Sequence, residues 1–361
     1  MTLATLQRTP LHDRHTALSA RMAPFAGWEM PVAYGGILAE HAAVRSRAGI
    51  FDISHMGQLE ARGAEALTWL ERQLTNRVER LRVGEGQYTL LLNDEGGVLD
   101  DLIVYRVGVE RFFLVVNASM ADEDLRRLTE LREGAVELRS CGPGRGGVAV
   151  QGPRVRELAS KVFPPGTVLP ERNAVSAVGE VWCCGTGYTG EDGFELFGPG
   201  EEVGEWWDRF AAAGVSPCGL GARDSLRLEM GYPLNGADLS PDRTPLEAGL
   251  GFSVDLDKGP FPGRETLLAQ RRDGLTCRLT GIAMEDGGPP PRAGYALFVG
   301  DAQAGTLTSG GLSPSLGHGI GMSYLPMELA IPGKSLALEV RGKRFSARTV
   351  RKPFFRREKL T

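Results

Sequence analysis

Two adjacent carboxylates, Asp100 and Asp101, sit inside the apolar run Val98-Leu99-Asp100-Asp101-Leu102-Ile103-Val104-Tyr105. A strand interior normally excludes aspartate, because burying an unpaired carboxylate costs several kcal/mol or forces it to keep a proton. Side chains alternate across a strand, so the two acids face opposite ways and cannot share a role. Asp101 falls with Leu99, Ile103, Tyr105 and Val107, whereas Asp100 falls with Val98, Leu102, Val104 and Arg106. That pattern predicts the less polar surroundings for Asp101, and the cost of the pair invites a functional reading.

A third acid, Glu195, follows the glycine-rich turn Gly187-Tyr188-Thr189-Gly190-Glu191-Asp192-Gly193 and lies between Phe194 and Leu196. Turn chemistry explains the glycines but not a strand carboxylate, which needs a partner if buried. A carboxylate can accept two parallel N–H bonds from an amino-pyrimidinone edge, so a pterin or guanine-like ring fits, and so does a structural partner within the chain. In Gly219-Leu220-Gly221-Ala222-Arg223-Asp224-Ser225-Leu226-Arg227-Leu228-Glu229, Arg223 and Arg227 are four apart and share a helix face. Two guanidinia there suit an anionic ligand such as a carboxylate tail, or else pair with Asp224 or Glu229.

Other strings yield to bland readings. Gly142-Pro143-Gly144-Arg145-Gly146-Gly147 matches a dinucleotide-binding glycine pattern, but strand-like Val148-Ala149-Val150 follows where a helix is required, so a flexible loop is expected. Asp52, Ser54 and His55 crowd together without a nucleophile elbow. His12, His15, His41 and His318 have no metal-ligand spacing, and Cys141, Cys183, Cys184, Cys218 and Cys277 contain no C-x-x-C pair. No metal centre is expected, and five thiols fit a reduced cytoplasm.

Positioning these residues takes a sizeable core, which a chain of 361 residues with 42% hydrophobic and 24% charged side chains can build. The 49 glycines and 22 prolines favour tight turns and short strands over long helices. A net charge of -4 argues against nucleic acid and a membrane surface as partners, and no apolar stretch approaches the ~18 residues of a spanning helix. Helical spacing is found at 37–48, with Gly49 as its cap, and at 64–74, 122–131 and 201–213. Strand patterns occur at 50–53, 88–93, 98–107, 112–117, 148–151, 181–184 and 194–197. After Asp273-Gly274 the chain turns to short apolar runs broken by glycine and proline, which predicts a small all-β domain. Seven Arg and Lys between Arg344 and Lys359 read as a solvated basic end or a docking strip.

The segments Thr9-Pro10-Leu11, Phe25-Ala26-Gly27-Trp28-Glu29-Met30-Pro31-Val32, Phe51-Asp52-Ile53-Ser54-His55-Met56-Gly57, the acidic strand pair, 187–195, 222–229 and Thr308-Ser309-Gly310 with Ser313-Pro314 occur in one order along the chain. Taken together they make the chain resemble the T proteins of the glycine cleavage system, tetrahydrofolate-dependent aminomethyltransferases. Because the likeness begins by Thr9, the arginine-bearing N-terminus reads as folded protein rather than a targeting segment.

The resemblance implies an α+β fold: two interleaved folate-binding subdomains with antiparallel sheets over residues 1–275 and a C-terminal β-barrel over 276–361, arranged around a central channel. It implies transfer of the methylene carbon of an aminomethyl group, carried on the lipoyl arm of H protein, to tetrahydrofolate. The products would be 5,10-methylenetetrahydrofolate, ammonia and dihydrolipoyl H protein, with no metal or flavin. It places Asp101 near folate N5 and N10, orienting the cofactor, holding positive charge or assisting proton transfer, and leaves Asp100 structural. Met56, Tyr88, Tyr105, Asn117 and Tyr188 match positions lining the folate channel, Glu195 the carboxylate gripping the pterin edge, and Arg223 or Arg227 the basic group toward the folate tail. Arg356, Arg357 and Lys359 lie in a segment that departs from the family pattern. A cytoplasmic monomer with H protein and folate as partners is expected. Two relatives of the fold compete. A non-enzymatic folate-binding iron-sulfur assembly factor is marked by a cysteine where Lys258-Gly259-Pro260-Phe261 has proline. A stand-alone tetrahydrofolate-dependent demethylase would transfer a methyl group without releasing ammonia. Flavin-fused relatives need more chain than 361 residues supply.

Overall fold

The computed structural model describes residues 6–142, 144–285 and 287–357. The chain divides into two units that it enters in alternation. One holds the chain up to Gln73, then Arg77–Thr89 and Asp101–Asp224; the other holds Leu74–Asn76, Leu90–Asp100 and the chain from Ser225 onward. The boundaries therefore fall between the two aspartates and between the two arginines singled out above.

The first unit contains a six-stranded sheet in the order Val175–Val178, Val181–Cys184, Gly193–Pro199, Arg145–Gln151, Gly49–Asp52 and Ser216–Cys218. Its central strands read as continuous apolar runs because both faces are covered. The helix Gly200–Ala212 packs on this sheet through Val203, Trp206, Trp207 and Phe210, the i, i+3, i+4, i+7 spacing of one helix face. Those residues join Val148, Val150, Phe194 and Leu196 in one buried cluster. Gly49 opens a strand in this core where a Cβ would come within 2.5 Å of Val44 Cγ2 and 2.6 Å of Cys218 Sγ. It serves this close approach rather than capping the preceding helix, which spans Ile37–Ser46 and stops before it.

A five-stranded sheet runs in the order Glu85–Leu92, Val98–Gly108, Arg111–Val116, Gly57–Arg62 and Glu137–Ser140, so the meander expected at 88–117 is present. Its first two strands cross the unit boundaries. A three-stranded sheet is made by Gln7–Arg8, Trp28–Ala33 and Arg21–Phe25, so the described residues before Pro24 are structured. The second unit contains a closed six-stranded barrel of Cys277–Met284, Gly319–Pro326, Ala302–Leu312, Ala296–Val299, Ser335–Val340 and Lys343–Val350. Full closure removes the exposed sheet edges that so short a run of strands would otherwise present.

One sequence expectation is corrected here. The stretch 142–147 is not a loop throughout: Gly142 and Gly144 adopt left-handed φ values of 89° and 83°, but Arg145, Gly146 and Gly147 begin a strand paired to Pro199, Gly198 and Phe197. Pro143 lies outside the described residues. The basic C-terminal run is solvated as expected, with Arg344, Arg348, Arg351, Arg356 and Arg357 exposed, and Arg344 and Arg348 belong to a barrel strand. Arg344 pairs with Asp301 at 3.2 Å and covers the Phe298 ring, while Arg348 approaches Glu285 at 3.5 Å. Lys359 lies outside the described residues.

Candidate functional site

The facing of the two aspartates is the reverse of the expectation from hydropathy. Val98, Asp100, Leu102 and Val104 form the buried side of the strand, and Asp100 is 0% exposed. Leu99, Asp101 and Ile103 are half-buried. The apolarity of a face does not say which face is covered, and here the covered one carries Asp100. The Asp100 carboxylate accepts a hydrogen bond from Asn235 Nδ2, whose amide also donates to the Leu99 carbonyl at 3.0 Å. Asp100→Asn is expected to cost about 1–3 kcal/mol, because it weakens buried hydrogen bonding, and to change turnover by less than about threefold. The check is a drop in thermal midpoint of roughly 2–4 °C for each kcal/mol beside a steady-state assay.

Asp101 is held at both oxygens and is still half-open. Tyr88 donates its hydroxyl to Oδ2 at 3.0 Å. Asn117 donates Nδ2 to Oδ1 at 2.9 Å and to the Asp101 carbonyl at 3.0 Å. These two directed donors, one on each oxygen, fix the carboxylate plane. Tyr88 comes from the strand Glu85–Leu92, and Asn117 ends the strand Arg111–Val116, so the meander brings together residues 16 apart in sequence.

Four residues further along the strand, about 13 Å away at ~3.3 Å per residue, Tyr105 lies on the same side as Asp101. It does not reach solvent: Tyr105 is 0% exposed, its ring stacks on Phe113 at 6.3 Å, and a Cβ at Gly86 would come within 2.2 Å of that ring. Its hydroxyl meets Thr186 Oγ1 at 2.7 Å, and Thr186 Oγ1 donates to Glu195 Oε2 at 2.6 Å. The single Thr186 proton is used on Glu195, so Tyr105 is the donor to Thr186. Burial raises the Tyr105 pKa well above its usual value, helped by the neighbouring Cys184 and Glu195, and keeps it a donor. Tyr105 is thus a buried support behind Glu195 rather than an open wall.

Glu195 is 8% exposed. Burial raises its pKa, and the Thr186 hydrogen bond and the Arg223 charge only partly offset that rise. Among the described residues, Oε1 has no hydrogen-bond donor. The Arg223 guanidinium lies over the Tyr188 ring, 4.9 Å from its centroid, and makes no ion pair among the described residues. Burial lowers its pKa, while the Glu195 and Tyr188 charges act the other way. Arg227 is committed elsewhere. It is 3% exposed, pairs with Asp238 Oδ2 at 2.9 Å and donates to Ser309 Oγ at 2.9 Å. Asp238 is thus a counterion of Arg227, and Glu229 accepts from Ser313 and Ser315.

Met56 sits in the turn between the strands Gly49–Asp52 and Gly57–Arg62, half-buried. Its neighbour His55 is 4% exposed, meets Phe25 edge-on at 5.6 Å and leaves Nδ1 buried with no hydrogen-bond partner among the described residues. Burial and the Arg223 charge lower its pKa to about 4, so it is neutral at physiological pH. Asp52, beside it in sequence, belongs to a buried structural network: Thr9 Oγ1 donates to it at 2.7 Å, His15 Nε2 meets it at 2.8 Å, and Tyr34 reaches His15 Nδ1 at 2.8 Å. Sequence reasoning passed over Thr186 and gave His55, beside Asp52 and Ser54, a bland reading. The only signal for Thr186 was its position just ahead of the glycine-rich turn.

Two family models match the chain. The GCVT N-terminal domain covers residues 11–258, and the glycine cleavage T-protein C-terminal barrel domain covers residues 278–356. The chain is 42% identical over 365 residues to an aminomethyltransferase of Geobacillus kaustophilus, covering 98% of this chain and 100% of the relative. It is 43% identical over 361 residues to an aminomethyltransferase of Synechococcus elongatus, covering 98% and 97%. A crystal structure of the glycine cleavage system aminomethyltransferase T from Bartonella henselae matches with a TM-score of 0.92 at 33% identity, covering 97% of this chain and 98% of that one. An α+β chain with a closed C-terminal barrel and these relatives is thus of the aminomethyltransferase class. The chain belongs to the glycine cleavage T-protein family, whose members use tetrahydrofolate as a substrate.

Proposed function

We propose that this protein transfers the methylene carbon of an aminomethyl group on lipoyl H protein to tetrahydrofolate, releasing ammonia and dihydrolipoyl H protein and yielding 5,10-methylenetetrahydrofolate. The observation that carries the assignment of residues is the half-open Asp101 carboxylate, oriented by Tyr88 and Asn117. Such a group can stabilise positive charge developing on a bound nitrogen, or take part in moving its proton, without reorganising. Asp101 is therefore the catalytic residue in this reading, and Tyr88 and Asn117 position it.

The folate-binding group is Glu195 with Arg223 and Tyr188. The open Oε1 of Glu195 and the unpaired Arg223 guanidinium are a fit for the paired N–H donors and the acceptor oxygens of a pterin-bearing ligand. Tyr105 and Thr186 hold Glu195 in place, Met56 contributes apolar wall, and Arg223 rather than Arg227 is the arginine that meets the folate. No step in this reading calls on a metal or flavin.

The test supplies aminomethylated lipoyl H protein and tetrahydrofolate, then measures ammonia and 5,10-methylenetetrahydrofolate. Equal amounts of the two, both dependent on tetrahydrofolate, are expected. A folded protein giving no tetrahydrofolate-dependent product would sink the reading, and methyl transfer to folate without ammonia would replace it with a demethylase.

A further inference from the structure

Away from the residues assigned to folate, the first unit has a cleft of about 380 Å3 whose walls include Glu60, Arg111, Arg139, Arg145, Cys141 and Trp182. Its chemistry centres on Glu60, which is 6% exposed. The Glu60 carboxylate accepts hydrogen bonds from Arg62 and Arg111, and from Arg139 at 3.2 Å. Burial would raise its pKa, but the three guanidinia outweigh burial and hold it at about 2. The carboxylate is charged at any physiological pH, so it anchors the arginines permanently.

Glu137, across the sheet from Arg62, adds a second negative charge, but Arg111 and Arg139 still share Glu60 and a fourth guanidinium stands beside them. Arg145 has only a 3.4 Å contact to Gln58 Oε1 and makes no ion pair among the described residues. The other acid in the walls, Glu180, is exposed at the rim. The side chains of Arg62, Arg111 and Arg139 keep 39%, 42% and 50% of their surface open, so N–H donors not used on Glu60 remain available. The Arg111 guanidinium also lies over the Trp182 ring, 5.4 Å from its centroid, and is clamped from two directions. Arginine is a planar fork of donors matched to oxyanions, and holding it rigid before binding reduces the entropy lost on binding.

We propose that this cleft binds a small polyanion, a molecule with two or more phosphate or carboxylate groups, through the outward N–H groups of Arg111, Arg139 and Arg145. The volume exceeds that of a single inorganic oxyanion. The arginines come from three different strands, Arg111–Val116, Glu137–Ser140 and Arg145–Gln151, so they can engage more than one group of the same ligand. Glu60 and Trp182 are positioning residues that hold the donors.

Calorimetry on the full chain with pyrophosphate in one arm and citrate in the other tests this. At least one is expected to bind with one-to-one stoichiometry. The double variant Arg139→Gln, Arg145→Gln is expected to weaken that binding at least about tenfold. Arg154→Gln, which removes an exposed arginine paired with Glu157, should leave it unchanged. Binding of pyrophosphate alone assigns a phosphate-bearing ligand, and binding of citrate alone a polycarboxylate; both outcomes support the site. A second readout needs no variant. Saturating anion should slow alkylation of Cys141, in the cleft wall, and leave Cys277, in the other unit, unaffected. Absence of binding by both anions, binding indifferent to the double variant, or Cys141 left unprotected by an anion that binds would overturn the proposal.

Discussion

Asp101→Asn is expected to lower kcat by about 10²- to 10³-fold while changing the dissociation constant for tetrahydrofolate by less than about threefold. Asparagine keeps the size and planarity of the carboxylate. Its carbonyl oxygen can still accept from Asn117, and the Tyr88 hydroxyl can turn from donor to acceptor, so both anchoring contacts survive. What disappears is the negative charge, which matters most where positive charge develops or a proton moves. Single-turnover transfer and equilibrium folate binding, measured on the same preparation, separate the two effects. Tyr88→Phe removes one anchor and leaves the charge, so its loss of turnover should be about tenfold or less. If Asp101→Asn turned over within threefold of wild type, or lost binding in proportion to rate, Asp101 would not be the catalytic carboxylate. Equal losses from Asp100→Asn would remove the distinction between the two aspartates.

That distinction shows what sequence could and could not carry. Alternation along Val98–Gly108 separated Asp100 from Asp101 correctly, because strand geometry is local. It mistook which side was buried, because coverage is set by residues far away in sequence: Asn235, which binds Asp100, is 135 positions on. The helix Gly200–Ala212 and the meander were legible for the same local reason, and the barrel showed itself in its turn-rich composition. The division of the chain was less so. A strand can pass from one compact unit into another between two adjacent residues, with no change in composition to mark the place. Arg223 and Arg227 looked equivalent on a helical face, and only tertiary partners tell them apart: Arg227 has Asp238, and Arg223 has the face of Tyr188. The cluster around Glu60 left no sequence signal at all, since its arginines are scattered from Arg62 to Arg145.

Glu195→Gln should weaken tetrahydrofolate binding by roughly 10- to 100-fold, the loss of one or two charge-assisted hydrogen bonds worth about 1.5–3 kcal/mol each, partly retained by the amide oxygen. The pH dependence makes this prediction specific. Burial raises the Glu195 pKa, and neither the Thr186 hydrogen bond nor the Arg223 charge fully restores it. The charged form is the one that can accept two N–H donors, so binding strength is fully present well above the raised pKa and is lost as pH falls through it. Wild-type affinity should therefore already decline on acidification at pH values where an ordinary exposed carboxylate is still ionised. In Glu195→Gln that slope should vanish while the affinity stays low. Thr186→Val provides the intermediate case: losing the hydroxyl donor removes stabilisation of the carboxylate, raises its pKa further and moves the decline toward neutral pH. Fluorescence or calorimetric titration across this range, on each protein, reads the sign directly. Affinity that rose on acidification, or a slope that survived in Glu195→Gln, would remove Glu195 from the binding site.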